Sequence, residues 1–214
     1  MNQYRSAAEN GSSLNHLLAT AGLHPLDATI AAKFDEYLAL ILRWNSRMNL
    51  TAIRAPEEIE SRHFVESIAC ARLLPQDIGS LLDFGSGAGF PGVPVALCRP
   101  EIEVTLAESQ SKKAAFLQEA VRVLALNSSV FAKRAEQLDR QFDCVILRAV
   151  DRMEDAVAVA ASLVGPGGTL AVLTTLEQFS LVQASAGPAF RWMEPKPLPM
   201  SEQRILILAS KSPD

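Results

Sequence analysis

Apolar positions along this chain change rhythm near residue 80. Before it they recur every three to four residues. Pro25 opens a stretch in which Leu26, Ile30, Phe34, Leu38, Ile41 and Leu42 share one face, the pattern of an amphipathic helix. Pro56 opens a second helical stretch that runs to about Leu74 and stops at Pro75. After residue 80, short continuous apolar runs alternate with helical stretches. The runs are Leu81 to Phe84, Glu103 to Ala107, Ser129 to Ala132, Phe142 to Leu147 and Thr169 to Thr174. Strands that are apolar on both faces lie in a parallel sheet covered by helices on each side. The helix after Ser111 carries Phe116, Leu117, Ala120, Val121 and Leu124 on one stripe, and Pro166-Gly167-Gly168 marks a turn into the fifth strand. Ala189 to Met193 and Arg204 to Ala209 read as a hairpin that closes the sheet. The expected fold is a doubly wound α/β unit with a mostly parallel seven-stranded sheet. Residues 1–79 form a helical extension and residues 80–214 the sheet domain, in one compact whole.

The chemistry concentrates at the end of the first strand, in Asp83-Phe84-Gly85-Ser86-Gly87-Ala88-Gly89-Phe90-Pro91-Gly92. Glycines allow a tight turn and let a ligand approach the main chain. Doubly wound sheets bind ligands at this end of their strands. The dinucleotide fingerprint G-x-G-x-x-G would put its third glycine at Phe90. An acid followed by G-x-G-x-G fits Asp83, Gly85, Gly87 and Gly89 position by position, and is similar to the first motif of Rossmann-like methyltransferases. A plain tight turn is the bland alternative. Glu108 ends the second strand about 20 residues on, where an acid accepts hydrogen bonds from ribose hydroxyls. Taken alone it would be a solvated strand-end glutamate.

Composition adds exclusions. The chain has 214 residues, 49% hydrophobic and 21% charged, which is ordinary globular usage. No apolar stretch reaches the roughly 18 residues of a membrane span. The polar segment Met1 to Ser13 lacks the apolar centre of a signal peptide and is expected to fray. Cys70, Cys98 and Cys144 have no metal-like spacing and read as buried free thiols. No metal is expected, and a cytoplasmic setting is. A net charge of −4 gives no general attraction for nucleic acid, so any such site must be a local basic patch.

Further motifs occur in order. They are Trp44-Asn45 with Asn49-Leu50-Thr51, Arg62-His63-Phe64 with Ser67, Phe90-Pro91-Gly92, Lys112-Lys113 with Phe116-Leu117, Arg134-Ala135-Glu136, and Arg148-Ala149. Together they resemble the glucose-inhibited division protein B family from about Leu26 to Gly168. The resemblance implies a Rossmann-like S-adenosylmethionine-dependent methyltransferase fold. It also implies transfer of a methyl group to guanine N7 in 16S ribosomal RNA of the bacterial small subunit; a monomer is expected. The expected cofactor contacts are Gly85, Gly87, Gly89, Phe90, Glu108, Ala135, Glu136 and Arg148. Two departures stand out. Glu66 replaces the family's usual Asp, and Thr174-Thr175 replaces Lys-Gly after the fifth strand, removing an expected cation.

Guanine N7 has a lone pair and no proton, so no general base is expected. Arg148 is expected to position the substrate, through O6 alone or through a phosphate. A cation bonded to N7 would oppose the transfer. A buried salt bridge is the other reading of Arg148. Arg62, His63, Lys112, Lys113 and Arg134 are candidate RNA contacts. His63 shares a helix face with Ile59, Ser67 and Cys70 and reads better as a core histidine; the two lysines read equally well as a solvated face. Three rivals remain on sequence alone: a small-molecule or protein methyltransferase, a non-catalytic cofactor sensor, and a dinucleotide oxidoreductase, which Phe90 disfavours.

Overall fold

A computed structural model describes residues 13–150 and 152–213. Apart from Ser13, the segment expected to fray lies outside the described residues. Among the described residues, five helical pieces precede the sheet. Helix α1 (Ser13–Thr20) buries Leu14 and Leu18 one turn apart. Its Asn15 clamps the following loop, accepting from the Leu26 amide at 2.7 Å and donating to the Leu26 carbonyl at 3.1 Å. Helix α2 (Ala28–Asn45) starts later than Pro25 suggests, because Asp27 is its cap and accepts from the Thr29 and Ile30 amides. Its buried face also differs from the expected stripe. Phe34, Tyr37, Leu40 and Ile41 are buried, while Leu38 and Leu42 are only half-buried.

The stretch from Pro56 is one helical rod with an inserted residue. Helix α3 (Pro56–Ile59) passes through a π turn (Glu60–Phe64) into α4 (Val65–Leu73). Such turns leave a backbone carbonyl out of the regular ladder. Here the Arg62 carbonyl accepts from Arg148 Nη2 at 3.0 Å.

The strands are β1 (Ser80–Phe84), β2 (Glu103–Ala107), β3 (Ser128–Phe131), β4 (Phe142–Arg148), β5 (Val164–Thr175), β6 (Phe190–Trp192), β7 (Lys196–Pro197) and β8 (Arg204–Lys211). Helices α5 (Gly92–Cys98), α6 (Ser111–Val123), α7 (Met153–Ser162) and α8 (Phe179–Ala186) connect them. The order is β3-β2-β1-β4-β5-β8-β6, with β7 paired to β8. The first five strands are parallel, and β8 is antiparallel to β5, β6 and β7. The sheet therefore has eight strands and not seven, the extra one being the two-residue β7. Strand β5 also begins earlier than expected, so Pro166-Gly167-Gly168 lies inside it.

Alternation along each strand sorts side chains between two cores. Leu81, Cys144, Ile146, Ala171 and Leu206 face the helices α1, α2, α4, α5 and α6. Leu82, Phe84, Val145, Leu147 and Val172 face α7 and α8. The helices before residue 80 thus share a core with the sheet, through Phe34, Tyr37, Phe64 and Ile68. Chain direction out of the sheet reverses between β1 and β4, and the crevice at such a switch point is where this architecture binds ligands.

Candidate active site

The glycine loop is held by its own backbone and by the end of β2. The Gly85 and Ser86 amides both donate to the Ala107 carbonyl at 3.0 Å, and the Gly89 and Phe90 amides to the Ser86 carbonyl. The Gly87 amide donates to Glu108 Oε2 at 3.0 Å, and the Gly92 amide to Asp83 Oδ2 at 3.1 Å. Gly85, Gly87 and Gly89 all take positive φ, which glycine adopts without strain. Gly92 needs to be glycine for a different reason: a Cβ there would stand 2.4 Å from Asp83 Oδ2 and 2.5 Å from Leu106. Pro91 caps α5 and follows Phe90 through a cis bond.

Glu108 is buried rather than solvated, at 7% exposure. Its Oε1 accepts from the Gln110 amide at 2.7 Å while Oε2 takes Gly87. The carboxylate therefore ties the end of β2 to the glycine loop. Asp83 is buried behind the loop, with Oδ1 lacking a partner among the described residues. Burial pushes its carboxyl up to about 7; Ser86 and Gly92 oppose the rise and the charge of Glu108 adds to it.

In front of the loop lies a cavity of about 320 Å³. Phe84, Ala107, Ala135, Val150 and Ala156 supply apolar wall, and Glu108, Glu136, Asp155, Lys133, Arg134 and Arg152 supply charge. Of the residues expected from sequence, Gly85, Glu108, Arg134, Ala135 and Glu136 line it. Gly87 reaches it through its bond to Glu108. Gly89 and Phe90 sit behind the loop, where a Cβ on Gly89 would meet the Tyr37 hydroxyl at 2.6 Å. Phe90 belongs to a group of rings that includes Tyr37, Phe64 and His63.

Arg148 lies across the sheet from this cavity, on the face of Cys144 and Ile146. Its Nη2 donates to Glu66 Oε2 at 2.8 Å, and Arg204 Nη2 stands 2.7 Å from Glu66 Oε1. The Glu66 side chain is 0% exposed and that of Arg148 is 9% exposed. Burial pushes the Glu66 carboxyl up, and Arg148, Arg204 and Arg62 pull it back. The salt bridge weighed from sequence therefore exists, yet Arg148 Nη1 is buried with no hydrogen-bond partner among the described residues. His63 stacks on Phe90 with ring centroids 4.6 Å apart. Burial, then Arg148, Arg204 and Arg62, push its imidazole down to about 3, so the ring is neutral at ordinary pH. Arg62 and Lys112 are exposed and Lys113 half-buried, all outside the cavity.

Sequence reasoning missed Tyr37 and Arg204. The Tyr37 hydroxyl donates to the Ala88 carbonyl at 2.5 Å, bracing the loop from α2. Arg204 is the strand partner of Thr175, so a cation stands one strand from the position where Thr174-Thr175 removed one. Thr174 itself is buried and donates to Gln178 Oε1. All three cysteines are free, with Cys70 and Cys144 buried and Cys98 half-buried. Among the described residues no cluster of His, Cys, Asp or Glu could hold a metal ion, and no helix is long and apolar enough to cross a membrane.

The sheet order, the glycine loop on β1 and the acid closing β2 define the class: an α/β domain of the Rossmann-like methyltransferase fold. Solved structures share it. A predicted O-methyltransferase from Agrobacterium tumefaciens superposes with a TM-score of 0.57 at 23% identity, over 68% of this chain and 80% of that one. Magnesium protoporphyrin IX methyltransferase from Synechocystis, solved with bound S-adenosylmethionine, superposes with a TM-score of 0.53 at 15% identity, over 95% of this chain and 93% of that one. The chain belongs to the GidB family, rRNA small subunit methyltransferase G, whose model matches residues 30–200. A Ribosomal RNA small subunit methyltransferase G from Stenotrophomonas maltophilia is 39% identical over 212 residues, 97% of this chain and 98% of the relative. One from Xanthomonas euvesicatoria is 45% identical over 148 residues, 68% of this chain and 69% of the relative.

Proposed function

We propose that this chain methylates N7 of a guanine in 16S ribosomal RNA of the small subunit, using S-adenosylmethionine. One observation carries the cofactor choice. The amides of Gly85, Ser86, Gly87, Gly89, Phe90 and Gly92 are all taken by protein acceptors, on Ala107, Ser86, Glu108 and Asp83, and a carboxylate occupies the Gly87 amide. A pyrophosphate needs such amides free, at an open helix N-terminus. An adenosine group needs apolar walls and an acceptor for its ribose, and the cavity offers Phe84, Ala107, Ala135, Val150 and Glu108. The residues fit the cofactor: Glu108 would hold the ribose, and Ala135 with Glu136 would lie at the adenine.

The cofactor supplies a methyl group already activated on a sulfonium. The protein's part is alignment, worth about 7–11 kcal/mol when reacting groups are held in line. Of the acids on the cavity wall, Glu108 is bonded to two amides, while Glu136 and Asp155 are exposed beside Arg134 and Arg152 at 4.0 and 3.4 Å. N7 asks for no base, which matches this arrangement. Arg148 is fixed by Glu66 and the Arg62 carbonyl, and its buried Nη1 has no hydrogen-bond partner among the described residues; donation from it to guanine O6, with N7 left unbonded, requires the cover over that face to open. The relatives' shared name supports ribosomal RNA as the acceptor. Arg62, Lys112, Lys113 and Arg134 then form the basic rim that meets phosphates, and neutral His63 contributes shape. The helical extension 1–79 and the methyltransferase domain 80–214 act as one unit, as a monomer in the cytoplasm. Calorimetry tests the cofactor directly: S-adenosylhomocysteine should bind and NAD should not, and tighter NAD binding overturns the reading.

A further inference from the structure

A second groove, of about 410 Å³, lies between the end of α2 and the outer side of α6. Arg43, Trp44, Arg47, Met48, Lys112 and Glu119 line it. It is a built feature. Buried Asn45 accepts from the Leu50 and Thr51 amides at 2.9 and 3.0 Å and donates to the Ile53 carbonyl, which folds the loop carrying Arg47 and Met48. The Trp44 indole is fixed on two sides. Its Nε1 donates to Glu119 Oε2 at 2.7 Å, and it meets Phe116 edge-on with centroids 5.7 Å apart. Glu119 is shared with Arg43, whose Nη2 stands 2.5 Å from Oε1. Arg47 and Lys112 have no ion-pair partner among the described residues, so the groove carries excess positive charge on a chain whose net charge is −4.

The groove and the cofactor cavity are linked through the start of α6. Ser109 lines the cavity and Lys112 lines the groove. Three residues span at most about 11 Å. A preset aromatic ring flanked by unpaired cations is the arrangement that holds single-stranded nucleic acid: the ring stacks a base and the cations take its phosphates. We infer that this groove binds an unpaired nucleotide neighbouring the methylated guanine, with its base on Trp44 and its phosphates on Arg47 and Lys112. The inference rests on the RNA acceptor proposed above and adds a subsite to it.

Trp44 and Trp192 are the two tryptophans of the chain, so Trp192→Phe leaves Trp44 as the sole indole reporter. Titration of that variant with single-stranded hexa-adenylate at low salt should quench its emission. Replacing Arg47 and Lys112 by Glu should weaken this binding at least tenfold and flatten its salt slope by about 1.4, the share of two phosphates on a single strand. Trp44→Leu should raise KM for the small subunit about five- to a hundredfold, the worth of one stacked base, and leave S-adenosylhomocysteine affinity unchanged. Absent quenching overturns the inference even if Trp44→Leu fails to fold. So does a loss seen on the assembled subunit but not on the oligonucleotide, which would assign the groove to a protein neighbour. An unsubstituted chain that methylates the subunit without engaging Trp44 overturns the groove alone. One that methylates no RNA overturns the reading beneath it.

Discussion

Removing the Glu108 side chain separates two tasks that its position combines. Glu108→Ala leaves the amides of Gly87 and Gln110, now 3.0 and 2.7 Å from carboxylate oxygens, without a charged acceptor. Hydrogen bonds to charged groups contribute about 1.5–3 kcal/mol each. The Gly87 and Gln110 backbones are near enough to solvent for water to replace part of this, so the stability cost should be about 2–3 kcal/mol. A strand-end carboxylate on the surface would have cost less. Loss of the ribose acceptor should weaken cofactor binding by a further 1.5–3 kcal/mol, about ten- to a hundredfold in Kd. Glu108→Gln is the useful companion. Its amide oxygen can satisfy one of the two backbone donors, while its NH2 confronts the other. It should fall between wild type and Ala in both melting temperature and affinity. Calorimetric titration with S-adenosylhomocysteine, beside thermal melts, reads the two effects. A folded Glu108→Ala protein with affinity within twofold of wild type refutes the assignment of Glu108 to the ribose.

Three further outcomes are expected. The Asp83 carboxyl, raised to about 7, binds protons in the folded chain that it has released in the unfolded one. Its contribution to stability is therefore present at low pH and lost as pH rises through about 7. Asp83→Asn should gain on wild type by several degrees in Tm between pH 5 and pH 8, and parallel pH profiles would show that Asp83 does not titrate there. Arg148→Lys keeps a cation beside Glu66 but loses the guanidinium fork, so it should fold, bind S-adenosylhomocysteine with modest change, and turn over ribosomal RNA far more slowly. Arg148→Ala should do the same at a stability cost of about 3–5 kcal/mol, because Glu66 loses a buried partner. An intact rate for either removes Arg148 from the site.

The parts of this fold that were legible are those with local signals. Strands β1, β2 and β4 are continuous apolar runs, and the loop after β1 announces itself by glycines that need positive φ. Glu108 was legible by its spacing from that loop, but its burial was not, since the amide of Gly87 comes to it only once the loop turns back. The π turn at Glu60–Phe64 sets buried Ile59 and Phe64 five residues apart, a single-residue shift that does not stand out from a regular helical spacing in the sequence. Helix α1 is short, and only Leu14 and Leu18 in it are buried. Arg148 shows the limit most clearly. Alternation with Cys144 and Ile146 puts it on their face of the strand, but only the sheet order and α4 reveal that Glu66 and Arg204 wait there. Arg204 is a lone charge in a hairpin until β8 is placed beside β5.

The most direct test is nucleoside analysis by mass spectrometry of unmethylated small subunits treated with the purified chain and S-adenosylmethionine. A single 7-methylguanine in the 16S RNA is the expected product, because alignment without a base suffices only for an acceptor that carries no proton. A methylated exocyclic amine, a methylated ribose, or no RNA product from a folded protein that binds the cofactor would contradict the account.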